Sequence, residues 1–353
     1  MTYQSIKNKI AEVTYREKIA KQQLDKKIFY PHERTFKDML EELKRRANKT
    51  VLDFIKLKKR GIDFSYYLEI GAENCERAMV LDSKFKPKGV ASDISLPSLK
   101  AAGGFTKLLG FRKTPKRLVC DTYHLPYKNN SLPFVFCYQT LHHFPDPKPV
   151  IDEIHRVLAP GGYFFFDEEP VKQILNLNLW RRPTCLRPWE KFLKYTGILP
   201  FVSRIGKTEV DHGILEEVFS LETWERALLI FDRVEATIKP FPKGPASKIT
   251  KTKRGWLKPQ FLTFLLVAWW GGGITAICQK KGIMTKTKEN PTEKLACPTC
   301  LSYKKTAQKA LLITLRKNKN KYVCTVCKTS YPIKNSIPLV LPKEELQLIY
   351  SDI

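Results

Sequence analysis

Three acidic residues, Glu69, Asp93 and Asp121, each stand at or near the end of a short apolar segment that is predicted to be a β-strand. In an open parallel sheet, the carboxyl ends of the strands share one edge and ligands bind there. A carboxylate at Glu69 can anchor an ammonium group, Asp93 can accept two ribose hydroxyls, and Asp121 can accept from an exocyclic amine. Gly71 lets the backbone turn tightly beside such a ligand. The alternative for each acid is a turn or capping residue.

Two histidines, His142 and His143, follow the fourth predicted strand, at the edge where an acceptor would enter. Transfer of a group to a hydroxyl needs a base, and histidine is the usual candidate. We therefore take both as candidate catalytic residues; the alternative is that they only pack and hydrogen-bond locally. Glu168 and Glu169 end the fifth strand and could bind a polar acceptor or be solvated.

Four cysteines near the C-terminus form two Cys-x-x-Cys pairs, Cys297 with Cys300 and Cys324 with Cys327. Four thiolates at this spacing suit a tetrahedral zinc ion, and a site closed by four thiolates is structural. The alternative is two reduced redox pairs. The remaining five cysteines are scattered, which argues against a disulfide framework and favours a reducing cytosol.

The elements that must position these residues follow an alternating pattern. Residues 1–60 carry apolar residues at helical spacing, with a break at Pro31 and His32. That break divides the region into two helices, and a further amphipathic helix is expected over Val150–Leu158. Short apolar runs predict five strands, Tyr66–Ile70, Gly89–Ser92, Arg117–Cys120, Phe134–Tyr138 and Tyr163–Asp167. Alternation of strands and helices predicts a parallel sheet with helices on both faces.

The motifs in this region resemble those of a class I S-adenosylmethionine-dependent methyltransferase of the type 11-like group. The matching stretches are LEIGAENCERA, VASDIS, CDTYHLPYKNNSLPFVFCYQTLHHF and IDEIHRVLAPGGYFFF, over about residues 65–170. The resemblance implies a Rossmann-like α/β fold with a seven-stranded sheet and S-adenosyl-L-methionine as the cofactor. It also implies that Glu69 and Gly71 hold the methionine moiety, Asp93 the ribose and Asp121 the adenine, with Gln139 beside the cofactor.

The chain departs from the family in one loop. The family has three glycines at alternate positions, whereas here Gly71 is followed by Glu73 and Cys75 at the other two. A side chain at either position narrows the cofactor site. We expect the sulfonium charge of the cofactor to tolerate the extra carboxylate.

The C-terminal residues 294–345 resemble the small zinc-ribbon subunit that activates tRNA, rRNA and release-factor methyltransferases. Both the CPxC start and the YPI-x-x-x-IP end are present. In that family the subunit pairs with a methyltransferase. The resemblance implies that the zinc-ribbon domain packs on the methyltransferase domain in cis.

Four regions are predicted from these patterns. Residues 1–60 form a basic helical N-terminal extension, and residues 61–283 form the methyltransferase domain with an insertion at about 170–215. Residues 284–293 are a linker, and residues 294–353 form a small α+β zinc-ribbon domain.

One apolar segment has two interpretations. Pro259 to Cys278 contains no charged side chain, which meets the length of a membrane span. Gly271, Gly272 and Gly273 interrupt it, and we expect instead a buried helix followed by a strand, Ile274 to Cys278. Lysines on both sides leave docking on a membrane surface open.

Charge and composition limit the class of protein. The 353 residues include 62 Lys and Arg against 35 Asp and Glu, a net charge of +27, with 43 % hydrophobic residues, which excludes a disordered chain or a disulfide miniprotein. Residues 1–60 carry 17 basic and 8 acidic residues, and residues 291–353 carry 11 and 4. Basic ends indicate RNA or an anionic membrane surface as partner. The alternative is that they only provide solubility. The N-terminal residues lack the apolar core of a signal peptide, so we expect a cytoplasmic protein. Docking on a membrane surface would make it peripheral to the membrane.

Three functions remain open from the sequence. The first is methyl transfer to RNA, with tRNA favoured because of the basic ends and the ribbon. The second is methyl transfer to a small molecule, saccharide or lipid-linked glycan, for which the insertion with Trp180, Arg181, Arg182 and Trp189 would form a substrate cap. The third is a non-catalytic binding module, suggested by Glu73 and Cys75.

Overall fold

A computed structural model describes residues 4–25, 35–174, 177, 179–181, 186–241, 243–251, 255–284, 290–303 and 314–351. The predicted helix break at Pro31 and His32 lies outside these residues, as does Arg182. The helices are α1 Ile6–Leu24, α2 Phe36–Lys59, α3 Glu76–Lys84, α4 Leu96–Leu108, α5 Pro147–Val157, α6 Pro188–Tyr195, α7 Leu199–Val202, α8 Lys207–Asp211, α9 Leu221–Leu228, α10 Phe261–Trp270, α11 Pro298–Tyr303 and α12 Lys343–Ile349.

The strands form three sheets. They are β1 Tyr66–Ile70, β2 Lys88–Asp93, β3 Arg117–Val119, β4 Leu132–Tyr138, β5 Leu158–Val171, β6 Leu179–Arg181, β7 Ser203–Ile205, β8 Arg233–Pro240, β9 Ser247–Thr250, β10 Gly272–Gln279, β11 Leu315–Asn318, β12 Lys321–Cys324, β13 Ser330–Lys334 and β14 Ile337–Pro338. Short 3₁₀ turns occupy Thr122–His124, Leu141–His143 and Pro291–Glu293.

The central sheet has the order β3-β2-β1-β4-β5-β10-β8-β9. The first five strands are parallel, and β10, β8 and β9 are antiparallel to their neighbours. The chain order reverses at β1, which lies between β2 and β4, and this switch point creates a crevice at the carboxyl ends of the strands. The predicted α/β class is therefore confirmed, with one strand more than the seven expected because β9 pairs along β8.

Both faces of the sheet are covered. Helix α2 belongs to one of these layers, because Phe54 is fully buried and its ring lies 5.9, 5.2 and 6.2 Å from those of Phe134, Phe136 and Phe165. The basic N-terminal region thus contributes to the core of the sheet domain as well as carrying charge.

The C-terminal antiparallel sheet, β11 to β14, meets the central sheet at β3. The backbone N–H of Val340 donates to the carbonyl of Val119 at 2.8 Å, beside a parallel bridge between Val119 and Leu339. Farther along, the hydroxyl of Tyr350 accepts from the N–H of Leu96 at 2.8 Å and donates to the carbonyl of Ile94. This unit therefore contacts the residues that directly follow β2.

The apolar segment 259–278 divides as expected into a helix, α10, and a strand, β10, but the helix is not buried. Only Thr263 and Val267 of α10 are buried, and Phe261 is 77 % exposed. The strand begins at Gly272, two residues before the expected Ile274. A Cβ at Gly272 would lie 2.5 Å from the carbonyl oxygen of Lys239 on β8. Within the described residues, no helix is both long and apolar enough to cross a membrane.

The packing of α2 predicts a difference between two positions of one helix. Phe54→Ala should lower the free energy of unfolding by about 3–5 kcal/mol, because it empties a fully buried aromatic site. Leu52→Ala removes a side chain that is 58 % exposed and should change it by less than about 0.5 kcal/mol. Chemical denaturation of the two variants measures both. Equal effects would show that α2 does not pack as described.

Candidate functional site

The loop after β1 approaches the end of β4 closely. Gly71 has φ +63°, and a Cβ there would lie 2.5 Å from Oγ1 and Cγ2 of Thr140. Glycine is therefore required both for its conformation and for space. Glu73 and Cys75, which replace the other two glycines of the family loop, also have positive φ angles, 47° and 63°. The loop keeps its left-handed conformations at these positions although L side chains adopt them at a cost.

Glu69 is buried at the end of β1, and its Oε2 has no hydrogen-bond partner. Burial, with the nearby Glu76, raises the pKa of Glu69 well above its usual value, although Arg77 opposes this. An unpartnered buried carboxylate oxygen beside a cavity fits a cationic ligand group, which would supply the missing partner. This observation supports the predicted contact with the ammonium of a methionine moiety.

Asp93 ends β2 and accepts backbone N–H groups of Glu73 at 2.9 Å and Ser95 at 2.8 Å, one on each carboxylate oxygen. Each oxygen keeps a second lone pair, which is what two ribose hydroxyls require. Burial raises the pKa of Asp93 to about 6, although these two N–H groups favour the charged form.

Asp121, after β3, is engaged by another part of the chain. Its Oδ2 accepts from Lys9 Nζ at 3.1 Å and lies 2.9 Å from His124 Nδ1, and its Oδ1 accepts from the N–H of Tyr123 at 3.1 Å. Lys9 is itself bound to Glu345 of α12 at 2.8 Å. An amine of this chain therefore occupies the carboxylate that the family resemblance assigns to adenine.

His142 lies in the 3₁₀ turn after β4, and a buried carboxylate fixes that turn. Glu169 accepts the N–H groups of Thr140, Leu141 and His142 at 2.7, 2.9 and 3.2 Å, and lies 3.0 Å from His142 Nδ1. Burial alone would lower the pKa of His142, but Glu169 raises it. Burial would likewise raise the pKa of Glu169, and His142 lowers it. Glu169 is therefore the residue that holds the turn and does not face an acceptor.

His143 has a different environment. Its Nδ1 lies 2.9 Å from the carbonyl of Leu215, which assigns the proton to Nδ1 and makes Nε2 an acceptor. Nε2 is 3.4 Å from a guanidinium nitrogen of Arg16. Glu216 lies 3.7 Å from His142 Nε2 and 3.5 Å from His143 Nδ1. The two histidines and Glu216 therefore form one polar group at the cavity wall.

The cavity bounded by these residues has a volume of about 560 Å³. It brings together Glu69, Gly71, Asp93, Asp121 and Gln139, and both histidines. Gln139 follows β4 with φ +49° and accepts from Arg46 at 3.4 Å. Eleven carboxylates but only three arginines line the cavity, so its walls are strongly acidic.

Cations of the N-terminal helices balance part of this acidity. Arg16 donates to Glu73 at 3.1 Å and to Glu12 at 2.7 Å, and Arg46 donates to Glu76 at 3.2 Å. Burial would raise the pKa of Glu73, but Arg16 and Arg46 lower it. These roles are not visible in the sequence, where the arm's basic residues count only as charge for an external partner. Glu168, a suggested acceptor-binding residue, is instead paired with Arg77 at 3.0 Å.

The four C-terminal cysteines converge on one point. Their sulfurs lie within 4.8 Å of one another, with Cys297 to Cys327 at 3.6 Å and Cys300 to Cys324 at 3.7 Å. Zinc–sulfur bonds of about 2.3 Å in a tetrahedron place sulfurs about 3.8 Å apart. The cluster thus has the donor set and spacing of a structural zinc site.

Comparison with known proteins bears on the sheet domain. Residues 68–166 match a family model described as a methyltransferase domain. Similar solved structures include a putative sarcosine dimethylglycine methyltransferase of Galdieria sulphuraria, with 14 % identity, a TM-score of 0.41, and coverage of 67 % of this chain and 86 % of that one.

Two further structures are similar to a comparable extent. A complex between the Haloferax volcanii Trm112 methyltransferase activator and a methyltransferase has 16 % identity and a TM-score of 0.37, covering 61 % of this chain and 82 % of that one. Geranyl diphosphate C-methyltransferase of Streptomyces coelicolor, solved with S-adenosyl-L-homocysteine, has 9 % identity and a TM-score of 0.38, covering 61 % and 69 %. Each of these three structures has a TM-score below 0.5 and carries no argument about function.

The cysteine cluster leads to a test of metal content. We expect elemental analysis of the full chain to find one zinc ion per molecule. Cys324→Ser should release it and lower the thermal unfolding temperature, because a small unit loses the ion that joins its two halves. Cys278→Ala, at a buried cysteine outside the cluster, should keep the metal. A folded wild-type chain without metal would contradict the zinc assignment.

Proposed function

We propose that this chain, in which residues 68–166 are a class I methyltransferase domain, transfers the methyl group of S-adenosylmethionine to an acceptor that enters beside His142 and His143. The observation that carries the proposal is the unpartnered, buried Oε2 of Glu69 at the wall of a 560 Å³ cavity. The bound cofactor would supply a strongly activated methyl group, and the chain's own task is then mainly to bind and orient.

Three carboxylates divide the binding of the cofactor. Glu69 would pair with the ammonium group, and Asp93 would accept the ribose hydroxyls on the lone pairs that its backbone contacts leave. Asp121 would accept the adenine amine once Lys9 withdraws from it. Lys9 would then still have Glu345 as a partner.

The two histidines would act differently on the acceptor. His143 Nε2, which in this structure faces the guanidinium of Arg16, would receive a proton from an acceptor hydroxyl once Arg16 turns away from it. His142, held by Glu169, would donate a hydrogen bond and position that hydroxyl. Glu216 lies within 4 Å of both rings and would help to hold them in place.

The acceptor class has two candidates. RNA, favoured by the sequence, is supported by the net charge of +27 and by the resemblance of residues 294–345 to a translation-linked activator. Its weakness is that Lys9, Arg16, Arg46 and Lys49 of the basic arm are paired with acids of the domain rather than presented outward.

A small, saccharide or lipid-linked acceptor is supported by the cavity itself. Acidic walls repel phosphates, whereas they accept hydroxyl and amine donors. Phe241, half-exposed, also lines the cavity and provides an apolar side to the mouth. We therefore favour a hydroxyl- or amine-bearing acceptor of this second class. Transfer of labelled methyl to separated RNA, lipid and small-molecule fractions of one extract discriminates the two, and RNA labelling alone would reverse our preference.

The Glu69 assignment predicts opposite effects on binding and stability. Glu69→Gln should weaken S-adenosylmethionine binding by roughly ten- to hundredfold, because the charged partner of the ammonium is lost. A carboxyl whose pKa is raised on folding stabilises the fold most below its unfolded pKa and less as pH rises. The neutral glutamine avoids that loss, so the ligand-free variant should unfold at pH 7 no earlier than wild type.

Titration calorimetry measures the affinity for the cofactor, and thermal unfolding with and without cofactor measures the stability. Glu222→Gln, at an exposed position of α9, is the control. Unchanged affinity in Glu69→Gln would remove the main support for the proposed cofactor site. Measurable binding without labelling of any fraction would leave the non-catalytic binding module.

Asp93 predicts a pH dependence. Ribose hydroxyls donate to the carboxylate, so cofactor affinity should fall as pH drops through about 6 and Asp93 becomes protonated. Asp93→Asn should bind weakly at all pH values and lack this step. The difference between the two pH profiles isolates Asp93 from the other carboxylates, and identical profiles would disprove its assignment to the ribose.

A further inference from the structure

One side of the molecule exposes large apolar side chains that no described residue covers. We define the apolar surface as Ile174, Leu177, Phe192, Tyr195, Phe241 and the exposed residues of α10. Leu177 is 71 % exposed, Phe192 66 % and Leu262 56 %. Contiguous exposed apolar area of this kind marks an interaction site in natural proteins.

The members of this surface are joined by direct contacts. The N–H of Ile174 donates to the carbonyl of Ala268 in α10, and that of Leu177 donates to the carbonyl of Phe201 in α7. The Phe201 ring lies 5.8 Å from that of Trp269 and 6.2 Å from that of Trp270. Helix α7 also contacts α6, so that α6 and α10 lie on either side of α7 and form one continuous surface.

The chain segments that contribute to this surface carry mainly positive charge. The two chain segments that build it, residues 170–204 and 239–284, contain 16 Lys and Arg and a single acid, Glu190. Glu190 is buried and paired with Arg187 at 2.6 Å. Exposed lysines flank the apolar residues along the chain, at positions 172, 191, 194, 239, 243, 248 and 258.

We propose that this apolar surface and its lysines dock the protein on the surface of an anionic lipid bilayer. Helix α10 has 10 residues, a length of about 15 Å, which reaches only about half the hydrocarbon thickness. It would therefore lie in the interface, with aromatic rings at the level of the headgroups and lysines on the phosphates.

The same features disfavour two other partners. Protein interfaces are depleted in lysine, whereas this surface is rich in it. Single-stranded nucleic acid is bound by aromatic and arginine side chains that stack on bases, whereas the apolar members here include Ile174, Leu177, Leu262 and Leu265. Phe241 lies on both this surface and the cavity wall, so an acceptor held in the bilayer would reach the cavity directly. That last consequence rests on the proposed function, whereas the docking itself does not.

Co-sedimentation of the full chain with vesicles tests the proposal. Phosphatidylcholine vesicles containing phosphatidylserine should bind the protein, those of phosphatidylcholine alone should bind it weakly, and salt should reduce the binding. Phe261→Ser combined with Leu262→Ser should weaken binding by at least about tenfold, because two apolar side chains no longer enter the interface. Leu52→Ser combined with Leu348→Ser removes two comparably exposed side chains elsewhere and should leave binding unchanged.

A charge reversal gives a second measurement. Lys258→Glu should weaken vesicle binding by about fivefold or more, and Lys37→Glu, on the exposed side of α2, should not. Absence of vesicle binding by wild type, or equal loss of binding in the surface and control variants, would overturn the proposal. Surface variants that lose binding to tRNA but keep binding to vesicles would also overturn it. All variants should retain cofactor binding in calorimetry. Failure of cofactor binding in wild type would count against the proposed function and not against docking.

Discussion

The carboxylates that converge on the cavity impose the constraint on which the rest of the structure depends. Charges held this close together and away from water are unfavourable unless each has a partner, and an unpaired buried charge costs several kcal/mol. The sheet domain supplies Arg77, but Arg16, Arg46 and Lys9 come from α1 and α2. The N-terminal region therefore has to fold onto the domain for the cavity to form. Its basic character is in this respect a structural requirement of an acidic site.

The same constraint joins the two ends of the chain. Lys9 lies between Asp121 of the sheet domain and Glu345 of α12, and Tyr350 contacts the backbone of Ile94 and Leu96 just beyond Asp93. The four cysteines organise the C-terminal unit. The position of that unit therefore affects Asp93 and Asp121, the two carboxylates proposed to bind ribose and adenine. A rearrangement of either end of the chain would alter the surroundings of both carboxylates. Metal binding and cofactor binding can therefore influence each other through these contacts.

The local sequence pattern is sufficient to predict the strands that position the site, because an apolar run and the acid at its end lie within a few residues of one another. It could not supply the pairing of Lys9 with Asp121, which are 112 residues apart, since nothing in the neighbourhood of either residue specifies the other. The eighth strand was missed because Ser247–Thr250 is short and lies at the sheet edge, where an apolar run is not needed. Helix α10 was wrongly expected to be buried, because its apolar composition shows that a partner is needed but not that the partner belongs to the chain.

These pairings change where the excess positive charge is available. Four cations of the arm, Lys9, Arg16, Arg46 and Lys49, are paired with acids of the domain. Residues 61–290 carry only 34 basic against 23 acidic residues. Within that range, residues 170–204 and 239–284 together hold 16 of the basic residues and one of the acids, so the remainder is slightly acidic. Exposed lysines of these two segments flank the apolar surface, so part of the positive charge of the central region lies on that side. An acidic cavity that opens beside a basic, apolar surface separates two tasks, since a neutral or cationic acceptor can enter where anionic headgroups remain outside.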